Sequence, residues 1–198
     1  MYEKVGNTQS TKERIVEAAD DLFYKKGYEF TSFAHIADEV KISRGNFYHH
    51  FKTKDDILNA VISHRMIKTQ NMLKEWEEEG KDAEGRIRCF IHILIANYAK
   101  IKLYGCPVGT LSTELVKLNH VSKDEANQIF ALFRKWLSKQ FKELGLKKEA
   151  DSLAMHLLAL SQGVATMATA FPSDAYVKQE VNYMCEWLSQ QIVKQSGK

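Results

Sequence analysis

Only two prolines, Pro107 and Pro172, interrupt 198 residues. Proline inside a helix removes a backbone donor and clashes with the preceding turn, so a chain this poor in proline can run long helices. Apolar residues recur at helical spacing in segment after segment, no stretch alternates as a strand would, and no internal repeat is present. The expectation is an all-α chain of about nine helices.

The starts and stops are legible. Ser10 with Glu13 three residues on is a capping box, followed by the stripe Ile15, Ala18, Ala19, Leu22 and Phe23. Lys25 and Lys26 suit the end of that helix, and Gly27 its stop. Ser32 caps a short second helix with Phe33, Ile36, Ala37 and Val40 inward, and Ser43 caps a third carrying Phe47 and Phe51. Two short helices joined by so tight a turn, the second basic, make a helix-turn-helix. Thr53 and Asp56 open a long fourth helix through Leu58, Val61, Ile62, Met66, Thr69, Leu73 and Trp76 to a break at Gly80. Residues 86–104 are apolar on nearly every side, which predicts a buried central helix ended by Gly105. A short helix from Pro107 follows, then one opened by a Ser122–Glu125 capping box and closed by Gly145. Phe171-Pro172 splits the two last helices.

Composition narrows the function. With 44% hydrophobic and 27% charged residues the chain is an ordinary globular protein. No run of about 18 apolar residues is present, and residues 1–10 lack an apolar signal core, so a cytoplasmic protein with no membrane partner is expected. The net charge of +3 says little, but residues 41–54 hold Lys41, Arg44, Lys52 and Lys54, two histidines and no acid. Cys89, Cys106 and Cys185 are odd in number and scattered, which argues against a disulfide framework or a zinc site. There is no glycine-rich phosphate loop, paired carboxylates or nucleophile–base–acid set, so neither an enzyme nor a cofactor is expected.

An ordered pattern covers about a quarter of the chain. It runs Ile36-Ala37-x-x-Val40-x-Ile42-Ser43-x-Gly45-x-Phe47-Tyr48-x-His50-Phe51-x-x-Lys54, with Ala18-Ala19-x-x-Leu22-Phe23 and Lys26-Gly27-Tyr28 upstream. It resembles the TetR family of bacterial transcriptional regulators. The resemblance implies a helix-turn-helix DNA-binding domain over residues 1–52 and a ligand-sensing and dimerisation domain over 53–198. It also implies a homodimeric repressor on a palindromic operator, released by a small-molecule inducer. Lys41 departs from the pattern, since the family usually has glycine there; a lysine in the left-handed region costs roughly 1 kcal/mol.

Projection at about 100° per residue buries Phe47 and Phe51 and turns Gly45, Asn46 and His49 outward, with Tyr48 on the flank. Arg44 is the candidate guanine reader and Asn46 the adenine reader, with Gly45 letting the backbone approach the groove. Ser43 caps this helix. Tyr48, His49, Lys54, Ser32 and the first amides of the fourth helix suit phosphates. His49 and His50 diverge too far to chelate a metal together. A DNA-binding module without sequence preference fits the same residues.

In the remaining two thirds, Phe90, Ile93 and Trp136 lead the candidate sensor residues, with Phe133, Tyr98, Tyr104, Met155, His156 and Met167. They line a cavity for an apolar or aromatic compound, or simply pack the core. The last two helices carry the stripes Leu153, Leu157, Leu160, Ser161, Val164, Met167 and Val177, Val181, Met184, Cys185, Leu188, Ile192. These face a partner in a four-helix bundle or the subunit's own core. Cys106, ahead of Pro107, falls at a helix N-cap beside Lys100 and Lys102, a setting that favours the thiolate. It is either a redox or electrophile sensor, as in a subgroup of the resembled family, or a packed structural cysteine. Cys89 and Cys185 read as core.

Overall fold

The computed structural model describes residues 10–196. These form ten α-helices: α1 Thr11–Lys26, α2 Phe33–Val40, α3 Arg44–His50, α4 Lys54–Glu79, α5 Ala83–Ala96, α6 Tyr98–Tyr104, α7 Pro107–Lys117, α8 Lys123–Glu143, α9 Ala150–Ala170 and α10 Asp174–Ser196. The extra helix comes from a break at Asn97, where the 86–104 segment was expected to be continuous. Asn97 leaves helical geometry (φ −101°, ψ 6°) while its side-chain amide donates to the Ile93 carbonyl at 3.2 Å. The segment is not buried all round either. Ile87, Phe90, Ile91, Leu94, Tyr98 and Ile101 are buried, whereas Ile95 is 37% exposed and Ile93 is half-buried.

Contacts divide the chain between Arg65 and Met66, inside α4. In the N-terminal unit, Ile15, Ala19, Leu22, Phe23, Ile36, Val40, Phe47 and Phe51 form a core with Ile57, Leu58, Val61 and Ile62 of α4. Local chemistry sets its helix ends. Ser10 accepts from the Glu13 amide at 3.2 Å and Glu13 accepts from the Ser10 amide at 2.8 Å. Ser32 caps α2 through the His35 amide and Ser43 caps α3 through the Asn46 amide, each at 3.3 Å. At α4, Thr53 Oγ1 accepts from the Asp56 amide at 3.0 Å, and Asp56 accepts from the amides of Thr53 and Lys52 at 2.9 and 3.2 Å. Two long-range bonds tie the helices together: Arg14 of α1 donates to the Val40 carbonyl at the end of α2 at 2.8 Å, and the buried Arg65 of α4 pairs with Asp20 of α1. Lys41 is left-handed (φ 58°, ψ 48°), as its place in the turn requires.

In the C-terminal unit, α8 packs on α9, α5 on α10 and α8, and α6 on α9. The stripes of the last two helices resolve mainly toward this core: Leu157, Ser161, Val164, Val177, Val181, Met184, Cys185 and Leu188 are buried, Leu153, Leu160 and Ile192 half-buried, and Met167 exposed. The other side of α9 is open, with Met155, Ala159, Gly163 and Met167 exposed. Among the described residues α9 is long and apolar enough to cross a membrane by length and composition alone; its inner side is nonetheless core. Ser122 does not form the expected capping box: its side chain makes no cap bond to α8 and the residue is buried.

Candidate functional site

In the helix-turn-helix, burial of Phe47 fixes the rotation of α3. Phe33 packs on Phe47 (ring centroids 5.2 Å) and edge-on to Tyr48 (5.3 Å, 83°), so the Tyr48 ring is fixed although the residue is 44% exposed. Arg44, Gly45, Asn46 and His49 are then all exposed. A Cβ added at Gly45 would meet nothing within 4 Å. Glycine inside a helix costs about 1 kcal/mol relative to alanine, and the chain's own packing supplies no reason for it here. Beside this face lies a hollow of about 320 Å³ lined by Ser32, Phe33, Ala34, Ala37, Arg44, Phe47 and Tyr48.

Lys54 is held inward. Its ammonium donates to the Glu29 carbonyl at 3.0 Å and lies 4.2 Å from the centroid of the Tyr28 ring, while the Tyr28 hydroxyl donates to Asp55 at 2.6 Å. The start of α4 therefore presents Asp55 and Asp56, with the Lys52 and Thr53 amides already given to Asp56. The Asp56 amide is likewise taken, by the Thr53 hydroxyl. The same two amide bonds and the Thr53 hydroxyl hold the Asp56 carboxyl below the ordinary carboxylate range.

The candidate sensor residues fall into three groups. Phe90 of α5 and Phe133 of α8 meet edge-on at 5.6 Å, and Trp76 of α4 lies 6.4 Å from Phe90 and 5.7 Å from Trp136 of α8. Trp76 was not singled out from sequence, where it reads only as the end of an amphipathic stripe. Tyr98 is buried on α6 with the Lys102 ammonium 5.2 Å from its ring centroid; burial, aided by Asp174, pushes its phenol up. His156 and Met167 are exposed on α9, where the His156 ring packs on Trp187 at 5.0 Å.

Around the ring cluster the polar groups are unevenly satisfied. Arg86 donates to Gln140 Oε1 at 3.2 Å and pairs with Glu143 at 3.0 Å. Lys139 pairs with Glu77 at 2.8 Å. That bond holds the Glu77 carboxyl below the ordinary carboxylate range against the opposing effect of burial, and the nearby Trp136 indole adds in the same direction. The Trp136 Nε1 has the Glu77 carboxylate as its neighbour, whereas Gln140 Nε2 is buried without closing a hydrogen bond. A buried donor left unmade costs about 1–3 kcal/mol.

Cys106 occupies the N-cap of α7, as its place before Pro107 predicts: its sulfur accepts from the Gly109 amide at 3.5 Å. The segment is tightly seated. A Cβ on Gly109 would collide with Gln162 Oε1 of α9, and one on Gly105 (φ 77°) would meet Thr110 Cγ2 at 2.8 Å.

Comparison with known proteins agrees with this geometry. Residues 15–61 match the family described as bacterial regulatory proteins, tetR family. An HTH-type transcriptional regulator of Lactococcus lactis subsp. lactis is 32% identical over 164 residues, covering 81% of this chain and 84% of that protein. An HTH-type transcriptional repressor of Mycobacterium tuberculosis is 33% identical over 102 residues, 49% of each chain. The crystal structure of a TetR transcriptional regulator from Legionella pneumophila superposes with a TM-score of 0.81 at 27% identity, over 91% of this chain and 98% of that one. The chain belongs to the tetR family of bacterial transcriptional regulators, DNA-binding proteins built on a helix-turn-helix.

Proposed function

We propose that this regulator is a homodimeric repressor that reads a palindromic operator with α3 and leaves it when a small compound binds. The observation that carries the reading is Gly45: a helix-breaking residue with empty space above it, on a face made otherwise of Arg44, Asn46 and His49. A side chain there would hold the α3 backbone off a major groove about 12 Å wide. Arg44 then reaches guanine and Asn46 adenine, while His49, Tyr48 and Ser32 hold the phosphates on either side of the hollow. Ser43 keeps the first turn of α3 wound. Lys54 serves the backbone by positive charge near the surface, although its ammonium is shared with Glu29 and Tyr28.

Two such heads reach successive major grooves, about 34–36 Å apart, when two subunits join. The exposed side of α9, with Met155 at 45% and Met167 at 42% exposure, supplies an apolar face for that joining. Residues 1–52 are the operator-binding part and 53–198 the sensing and dimerising part. The inducer is a small apolar or aromatic compound held near Phe90, Phe133 and Trp136, with Ile93, Tyr98, His156 and Met167 around them, or an electrophile that reacts at Cys106.

Gly45→Ala separates the roles. Alanine stabilises the head by up to about 1 kcal/mol, so thermal unfolding shifts upward, while affinity for the DNA upstream of the gene, read by fluorescence anisotropy, falls about tenfold or more. Wild-type affinity in Gly45→Ala would remove α3 from the groove. Equal binding of upstream and unrelated duplexes by the wild-type protein would favour a module without sequence preference.

A further inference from the structure

Within the C-terminal unit, α8 carries a gap in its side chains. Ala131 and Ser138 are both small and stand about two turns apart on one face, with Arg134, Lys135 and Lys142 around them. Together with Asp151 of α9 these residues line a hollow of about 290 Å³. Ser138 is 7% exposed, and its hydroxyl closes no hydrogen bond among the described residues. A serine inside a helix can give its proton to the carbonyl four residues back; Ser138 leaves that bond to Arg134 unmade and keeps its donor for whatever enters the hollow.

The charge of the lining is uneven. Arg134 grips Asp151 through two N–H groups, Nε at 2.8 Å. Lys135 and Lys142 have no ion-pair partner among the described residues. The Arg134 bonds hold the Asp151 carboxyl below the ordinary carboxylate range, and the positive charge of Lys142 adds to them. Three cations against one carboxylate leave the hollow positive. It also meets the first turn of α9, a 21-residue helix whose N-cap, Glu149, makes no side-chain cap bond. The positive end of that helix strengthens the same field.

We propose that this hollow is a binding site for a phosphate monoester, separate from the DNA-reading face. The phosphate accepts from the Ser138 hydroxyl, lies between the ammoniums of Lys135 and Lys142, and takes the place of Asp151 on Arg134. Asp151 is the chain's own stand-in for the anion, and a weakly held one: the two side chains are 46% and 62% exposed, and a pair so open to water contributes little. Selectivity follows from charge. A phosphate ester carries nearly two negative charges above its second pKa, near 6, and so answers both unpaired ammoniums, whereas a sulfonate brings one. The hollow is larger than a phosphate group alone needs, and Ala131 offers the ester's organic part an apolar contact.

The test is calorimetric titration of the full-length protein with phenyl phosphate, benzenesulfonate and inorganic phosphate at about pH 7.5, where the ester is a dianion. An Arg44→Ala background keeps anions bound at α3 out of the reading. Phenyl phosphate is expected to bind about tenfold or more tighter than benzenesulfonate, and tighter than inorganic phosphate. Ser138→Ala and Lys142→Met each weaken the ester about five- to tenfold with helicity retained. Asp151→Asn tightens it, because Arg134 is then free. Absence of binding, equal affinity for ester and sulfonate, or an affinity that neither Ser138→Ala nor Lys142→Met moves overturns the site. Inorganic phosphate binding as tightly as the ester overturns the assignment of an ester. Operator binding does not enter this measurement, so the repressor reading stands or falls separately.

Discussion

At Cys106 a sulfur atom fills the place that hydroxyl oxygens fill at Ser10, Ser32 and Ser43, accepting from the amide three residues on. Serine is a good N-cap, so Cys106→Ser keeps the α7 start and leaves the melting temperature unchanged or higher. If electrophiles act here, N-ethylmaleimide releases DNA from the wild-type protein and fails to do so from Cys106→Ser; release from both would move the chemistry to another residue. The reason for an effect is steric: Gln162 already sits against Gly109, so an adduct on the sulfur displaces the first turn of α7 or the α9 side chain behind it. Single residues were legible in the sequence where their task is local. The N-cap role of Cys106 and the outward turn of Gly45 and Asn46 follow from neighbours within four positions, whereas the left-handed Lys41 was expected only from the resemblance, whose pattern has glycine there. Gln140 was not legible, because its partner Arg86 lies 54 positions away and no spacing announces the pair.

Helix boundaries divide in the same way. Ser10, Ser32, Ser43 and Thr53 cap as read, since each answers only to its own first turn. Ser122 does not, because burial sets its surroundings from outside the helix it precedes. The break at Asn97 escaped notice for a related reason: apolar residues on both sides of it gave one unbroken signal, and only the packing of α5 and α6 against different neighbours separates them. The Thr53–Asp56 box at α4 makes a pH-dependent contribution. The Asp56 carboxyl is held below its ordinary value, near 3.9, by the amide and hydroxyl bonds. A depressed carboxylate stabilises the fold above its unfolded-state pKa and loses that contribution as pH falls through the folded value. The melting temperature of wild type should therefore exceed that of Asp56→Asn at neutral pH, with the gap closing once pH falls below about 4. A gap that stays constant down to pH 2 would show that charge at this cap does not matter.

For the molecule as a whole, the all-helical class and the helix-turn-helix were legible from periodicity and one ordered motif, while the direction of the α9 stripe was not. Both sides of α9 are apolar, so no moment in the sequence distinguishes a core-facing side from a partner-facing one. The structure buries Leu157, Ser161 and Val164 and leaves Ala159, Gly163 and Met167 exposed. Dimerisation through that open side predicts that Ala159→Glu yields a folded monomer by light scattering, with helicity retained and affinity for the upstream DNA lost. An unchanged dimer would place the interface on another surface. If subunits pair through the open apolar side of α9, that pairing also ties the regulator to its own abundance. A subunit whose greasy flank is covered only by its twin is sensitive to gene dosage: when most subunits are single, halving their number leaves about a quarter of the pairs. Control by such a protein would fade faster than its concentration does, and the solitary subunits would be the ones offered to proteases.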